Sequence, residues 1–495
     1  MADILCLKGD AAFSAFRLQR LQARLVAAVS DIESVVADYW HVVAQKRALN
    51  ADERAKLATL LEEKTAGAEA GELFLVAPRI GTISPWSSKA TDIAWNCDLD
   101  AIERIERVIA FHVVTKNKRT LTADEKKLFI RQVEVFAAYS AYSDYETGRV
   151  IQHFQDLGKL DNTLVIYING DNGTSAEGGP LGTPNEVAFF NGLNKLPAEV
   201  QMKFYDVWGT EQTYNHMSAG WSWAFDTPFD WFKQNGSRLG GINQNLVVSW
   251  PARIKDKGAL REQFVHVIDV VPTILEAAGI KAPEMVDGIK QAPIEGTSFA
   301  YTFDAANAKV ASRHKTQYFE MMGQYALYDD GWLLSTKVNR APWEAFGAAN
   351  PDPLNKQEFQ LYNLKADWNQ SDDIAAKHPQ KVKELKAKFI AEAKKYQVFP
   401  LDASVAGRIV APRPNITAGR SEFVYTRPMV GLPQGDSPNI LNASYTFTAE
   451  IEVPQGGAEG MIVTSGGRFA GYGFYLLKGK PVWLWNLVDL ERSKW

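Results

Sequence analysis

The stretch that decides the reading is DNTLVIYINGDNGTSAEGG, from Asp161 to Gly179. Leu164 to Asn169 is an apolar run rich in β-formers, and it predicts a buried strand. The run stops at Gly170, and Asp171-Asn172-Gly173 follows at once. This puts a carboxylate and an amide at the carboxyl end of a strand, where open α/β sheets bind their ligands. Asp, Asn and Gly also favour an ordinary turn, so both readings stay open from the residues alone. Two oxygen donors do not hold a hard cation by themselves, because calcium takes about 6–8 oxygens and magnesium about six.

The chain around this stretch has 495 residues, which suggests two to four domains. Its 46% hydrophobic content is that of a globular protein with a sizeable core. A net charge of −4 gives no basic footprint for nucleic acid. The two cysteines, Cys6 and Cys97, form no CxxC or Cys/His pattern, which argues against a zinc or disulfide framework. No apolar run is long enough to span a membrane. The first 25 residues lack a secretory pattern, so the expected location is cytoplasmic.

Before Asp161 the pattern predicts strands at 4–7, 34–43, 73–76 and 102–114. Helices are predicted at 12–29, 51–63 and 86–96. The first helix carries Phe13, Phe16, Leu18, Leu21, Leu25 and Val26 on one stripe. This is a small α+β sandwich, roughly βαββαβ. A long helix is predicted from about Ala123 to Leu157, with Thr122 and Glu125 spaced as a capping box.

After Asp161 strands and helices alternate. Asn245 to Trp250 reads as a buried strand, and Val265 to Ala278 as a helix closed by Gly279. Strands at 317–321 and 326–334 turn at Asp330-Gly331, and Pro379 opens a further helix. Pro412 to Gly435 is rich in Pro and Gly and reads as a linker. In SYTFTAEIEV, from Ser444 to Val453, the period becomes two and predicts a strand. A hairpin follows, turning at Lys478-Gly479-Lys480.

Two resemblances then emerge. Residues 1 to about 120 resemble the N-terminal domain of phosphoribosylformylglycinamidine synthase. The likeness rests on AFSAFR from Ala12, PRIGTISPWSSKATDIAWNC from Pro78 to Cys97, and Arg104-Ile105-Glu106-Arg107. It implies a small non-catalytic domain whose partners belong to purine synthesis. SPWSSKATD, from Ser84, reads as a nucleotide-contact loop or as a helix start packed by Trp86 and Ile93. Residues 121 onward resemble the sulfatases, in particular bacterial arylsulfatases of the alkaline-phosphatase-like superfamily. The opening stretch carries that likeness, with GWSWAFDTPFDWFKQ from Gly220, VVSWPARIKDKG from Val247, HVIDVVPTILEAAGI from His266 and FQLYNLKADW from Phe359.

The resemblance implies that Asp171 and Asn172 are two of four calcium ligands, and that Lys233 contacts the sulfate group. A fixed ammonium there stabilises charge on the ester oxygens. His216, in TYNHMSAGW, reads as a substrate contact or as an ordinary loop histidine. His266 and Asp269 read as parts of a packed structural helix. The family's other calcium ligands and its formylglycine nucleophile belong to a region that the first 120 residues replace. Ser249-Trp250-Pro251-Ala252-Arg253 matches the serine form of the formylglycine motif, but it follows a strand and reads as a chance match.

The expected architecture is therefore α/β and α+β. It comprises a small domain at 1–120, a partial sulfatase domain at 121–410, a linker at 411–436 and a β-sandwich at 437–495 that is cut short. The expected function is a sulfatase-type hydrolase of aryl or other organic sulfate esters, inactive for want of a nucleophile and half the calcium site. A non-catalytic purine-synthesis interaction domain fused to a sulfatase remnant stays open beside it, as does an artefactual joining of two genes.

Overall fold

The computed structural model describes every residue except 1–2, 29–30, 68–69, 79–82, 117–120, 171, 194, 345–348, 406, 409–410, 412–415 and 441–442. The chain divides into two units, Met1–Ala123 and Asp124–Trp495. The architecture is mixed α/β and α+β.

The first unit runs β1 (Asp3–Ala11), α1 (Ala15–Ala28), β2 (Ile32–Gln45), α2 (Ala51–Leu60), β3 (Glu72–Val76), α3 (Pro85–Asn96) and β4 (Ile102–Thr115). Its four strands form one antiparallel sheet in the order β1-β2-β4-β3. The core joins Leu7, Val43 and Ile105 of the sheet to Leu57 of α2 and Ala94 of α3. Helix α2 opens with a capping box between Asn50 and Glu53. Ser84 caps α3 by accepting from the Ser87 amide, and its hydroxyl donates to Glu106 at 2.7 Å. The Ser87 hydroxyl donates to the Ile105 carbonyl at 2.6 Å. These bonds seat α3 on β4, as a packed helix start requires. Trp86 packs on the core, but Ile93 is exposed and takes no part in it. Phe16 likewise leaves the predicted stripe of α1 and faces solvent. Residues 79–82 of the PRIGT segment lie outside the described residues.

The second unit opens with α4 (Ala123–Asp156), 34 residues long. Leu128 on its first turns is buried against Ala198 and Trp208. Farther along, Tyr139, Tyr142, Tyr145 and Val150 are exposed. Strand β5 (Val165–Asn169) is followed by the short helices α5 (Glu186–Phe190), α6 (Ala198–Gln201), α7 (Ala219–Asp226) and α8 (Leu239–Ile242), then by β6 (Asn245–Ser249).

Strands β5 and β6 exist where the sequence predicts them, but they are not buried. They form a two-stranded antiparallel ribbon, with Ile168 39% and Val247 56% exposed. Two strands alone have two faces and too few neighbours to cover them.

Helix α9 (Val270–Ala278) ends at Gly279 in the left-handed region. A small hairpin, β7 (Met285–Val286) and β8 (Ile289–Lys290), precedes β9 (Thr316–Met321), β10 (Gln324–Asp329), β11 (Trp332–Thr336) and β12 (Phe359–Asn363). These last four make an antiparallel sheet in the order β12-β11-β10-β9. Asp330 and Gly331 both take positive φ, as the tight hairpin turn between β10 and β11 demands. Helix α10 (Pro379–Lys395) covers one face, where Phe389 stacks on Tyr325 at 4.0 Å. The other face packs Ala326, Tyr328, Leu333 and Tyr362 against Leu239 of α8.

The last sheet is β13 (Gly460–Gly466), β14 (Gly471–Leu477), β15 (Lys480–Leu487) and β16 (Glu491–Lys494), in sequential order. Its β14–β15 turn has Lys478 and Gly479 at positive φ. The strand predicted over 444–453 does not form. Its alternation still sends Tyr445 and Phe447 to one side, where both rings meet Trp483. A pattern of two sets which way side chains face, but a strand also needs a ladder partner for its backbone. Among the described residues, no helix is long and apolar enough to cross a membrane.

Candidate functional site

The site grows out of the turn that follows β5. Gly173 has φ +83°, and a Cβ there would stand 2.0 Å from the Gly240 carbonyl oxygen. The backbone of the turn therefore lies directly on α8, an approach only glycine permits. Thr174 is fixed next. Its amide and hydroxyl both donate to the Asp226 carboxylate at the end of α7, the hydroxyl at 2.6 Å. Burial raises the Asp226 pKa against the pull of those bonds. The Thr174 carbonyl then accepts from the Lys233 amide at 3.3 Å. By this route the backbone of Lys233 is held beside the Asn172–Thr174 turn.

Two isolated bridges build the opposite wall. Thr183 and His216 exchange both backbone bonds, at 3.0 and 2.9 Å. The Tyr214 carbonyl accepts from the Glu186 amide at 2.7 Å. Asn185 caps α5 through its own side chain, which makes Glu186 the first residue of that helix. Glu186 and His216 are thereby neighbours, with Nε2 of His216 3.2 Å from the Glu186 carboxylate.

The two walls meet at Glu177, which is buried. Its carboxylate accepts from Nζ of Lys233 at 3.1 Å, from Nε2 of Gln234 at 2.8 Å and from the Ser175 hydroxyl at 3.0 Å. Oγ of Ser175 also lies 3.3 Å from Nδ1 of His216. The result is one network, Lys233–Glu177–Ser175–His216–Glu186. The bond from His216 holds Glu186 below the usual carboxylate range, and the bond to Glu186 raises the Tyr214 phenol.

Lys233 and His216, which sequence reading names, thus share a site. Asn172 sits half-buried in the adjoining turn. Asp171 lies outside the described residues. Glu177, Glu186, Ser175 and Gln234 were not anticipated. Glu177 and Ser175 sit in the opening stretch itself, but in a run without periodicity. Asp269, expected to be structural, is buried and accepts from the His266 and Thr297 amides at 2.9 and 2.7 Å. His314 reaches it at 2.8 Å.

The arrangement offers a fixed ammonium for an oxyanion and a Glu–His pair for proton movement. Ligand atoms of Glu177, Glu186 and His216 also lie within 4.8 Å of one another, a group able to hold a metal ion. Two carboxylates with an imidazole suit a transition metal better than calcium, which prefers oxygen throughout. The described donors do not assemble a calcium shell. Asn172 is the one described member of the expected pair, and Glu177 is already engaged by Lys233, Gln234 and Ser175.

Comparison with known proteins gives two findings. Residues 38–140 match the family described as formylglycinamide ribonucleotide amidotransferase N-terminal. Among solved structures, one similar protein was determined in complex with its substrate D-glucosamine-2-N,6-O-disulfate. It is 17% identical, with a TM-score of 0.31, over 52% of this chain and 40% of that one. A second comes from glycosaminoglycan metabolism by Bacteroides thetaiotaomicron. It is also 17% identical, with a TM-score of 0.31, over 51% of this chain and 43% of that one. A third was solved with k-i-k-neocarrahexaose, at 16% identity and a TM-score of 0.32, over 52% of this chain and 42% of that one. The chain therefore spans less than half the length of each of these proteins.

Proposed function

We propose that the second unit carries the anion-holding part of a sulfate ester hydrolase site, binds the sulfate group of an aryl or other organic ester, and does not turn it over. The observation that supports this most is the fixing of Lys233. Its amide is bonded to Thr174 and its ammonium to Glu177, beside the Asn172 turn. An ammonium held in this way is organised for a tetrahedral oxyanion before that anion arrives. His216 and Glu186 stand ready to take or return a proton at Nε2.

The reading needs no calcium, and it assigns no nucleophile to this chain. Sulfate binding and turnover are to be measured separately. Calorimetric titration with inorganic sulfate should show binding that Lys233→Ala removes. Incubation with p-nitrophenyl sulfate and added calcium should release no phenolate above the buffer rate. Turnover abolished by Asp171→Ala would overturn the claim of inactivity. Sulfate binding unchanged in Lys233→Ala would overturn the site.

A second reading concerns residues 1–123 and rests on the family match at 38–140. This unit is a docking domain for a purine-synthesis partner. Co-purification of the full chain with the remaining parts of such a synthase tests it, and failure to associate at micromolar concentration would remove it.

A further inference from the structure

A second candidate binding site lies on the β9–β12 sheet, where a cavity of about 440 Å³ opens at the β9–β10 turn. That volume falls in the range of small-molecule sites. Its lining includes Met322, Gln324, Asn339, Arg340, Glu344 and Ala403. Arg340 is the notable group. It is half-buried, and its guanidinium donates to the Ala403 carbonyl at 3.0 Å and to the Met322 sulfur at 3.5 Å. Among the described residues no carboxylate lies within ion-pair distance of it. The acidic residue of the lining, Glu344, spends a carboxylate oxygen on the Ala341 amide at 3.1 Å. Burial lowers the Arg340 pKa, and the charge of Glu344 opposes this only in part. A guanidinium drawn from water without an anionic partner is costly, and a bound anion relieves that cost.

The rest of the lining fits a polyhydroxylated body. Asn339 is exposed, and its side-chain amide makes no hydrogen bond among the described residues. Amides of this kind donate to and accept from hydroxyl groups. Met322 and Ala403 supply an apolar wall. The cavity also abuts the loop of Lys233. Gln324 accepts from the Asn235 side chain at 3.2 Å, and the Trp343 ring stands 6.1 Å from Phe232.

We propose that this cavity binds an acidic sugar unit, with Arg340 holding its sulfate or carboxylate and Asn339 its hydroxyls. The inference names a substrate class for the site around Lys233, and it rests on that reading only for where the reacting end lies.

Binding to the full chain tests it independently of turnover. The probes are glucose 6-sulfate, glucuronate and glucose, titrated by calorimetry at low salt into the full-length Lys233→Ala chain, so that the sulfate site around Lys233 contributes nothing. At least one of the two anions should bind about tenfold or more tightly than glucose, the worth of one charge-assisted contact. Preference for glucose 6-sulfate identifies a sulfated unit, and preference for glucuronate a uronic acid. Arg340→Gln should abolish the gap and Arg340→Lys should keep part of it. Asn339→Asp, at an exposed position, should narrow the gap even if the Arg340 variants fail to fold. With Lys233 restored the gap should be as large or larger, because the site around Lys233 then adds its own sulfate binding. Equal binding of glucose and both anions would overturn the proposal. So would a gap that survives Arg340→Gln in the Lys233→Ala chain, or one seen with Lys233 present and absent from the Lys233→Ala chain. The last outcome would leave the Lys233 site standing and send the anion there.

Discussion

Glu177→Gln should tighten sulfate binding at Lys233. In the folded chain the Glu177 carboxylate lies 3.1 Å from Nζ of Lys233 and already occupies one of its three donor directions. An oxyanion accepting from another direction would place its nearest oxygen about 5–6 Å from that carboxylate. Two unit charges at this distance repel by about 1.5–3 kcal/mol for effective dielectric constants of roughly 20–40. Lys233 keeps a third of its side chain exposed, so the weaker end applies. Removing the charge while keeping the shape should therefore raise sulfate affinity about tenfold.

A competing effect runs the other way. The amide holds the ammonium less firmly than the carboxylate does, and the lost orientation costs a few tenths of a kcal/mol to about 1 kcal/mol. The charge term is larger and sets the sign. Calorimetric titration with sulfate at low ionic strength reads the result, and the gain should shrink as salt screens the repulsion. In a Lys233→Ala background the substitution should do nothing. An unchanged or weaker affinity in folded Glu177→Gln would refute the reasoning, because it would mean that Lys233 does not meet the anion.

The pair of Asp269 and His314 sets a pH window for the second unit. Burial pushes Asp269 up, but bonds from His314 and the His266 and Thr297 amides outweigh it and leave the carboxyl lowered. The bond to Asp269 holds His314 above its ordinary value. The histidine contribution is complete below about pH 6.5 and is lost as pH rises through the folded value. The aspartate contribution is complete above about pH 3.9 and is lost as pH falls through its lowered value. Urea midpoints taken from about pH 4 to 9 should fall on the alkaline side, and Asp269→Asn should flatten that slope. An identical slope in the variant would sink the assignment. Gly240→Ala should cost about 1–3 kcal/mol or more, by overpacking. Its Cβ would lie 2.1 Å from the Trp231 carbonyl oxygen, in the loop that leads to Lys233. Sulfate binding should weaken with it, whereas Gly220→Ala in α7, with nothing within 4 Å, is the control expected to be neutral or stabilising. Equal behaviour of the two variants in urea and sulfate titrations would count against a tight backbone contact there.

What could be read from sequence, and what could not, divides along physical lines. Turns whose chemistry is local were legible. Asp330, Gly331 and Gly479 adopt the positive φ values that their residue types favour, and Lys478 is carried into the same region by the turn that Gly479 closes. Helices α3 and α10 begin where a cap or a proline allows. Burial was less legible, because it belongs to neighbours rather than to a segment. Strands β5 and β6 carry the composition of interior strands, yet as a lone pair they stay half in water. Phe16 fits its helical stripe and Ile93 reads as packing the start of its helix, yet both face solvent.

The site shows the same division more sharply. Lys233 and His216 could be named singly from the stretches that carry them. Their connection runs through Glu177, which is 56 positions from Lys233 and sits in a glycine-rich turn with no period to flag it. The close contact of Gly173 with Gly240, and the bond from the Lys233 amide to Thr174, help bring that carboxylate and ammonium together. A charged pair made in this way is a tertiary property, so the reactivity of Lys233 depends as much on two glycines as on the lysine itself.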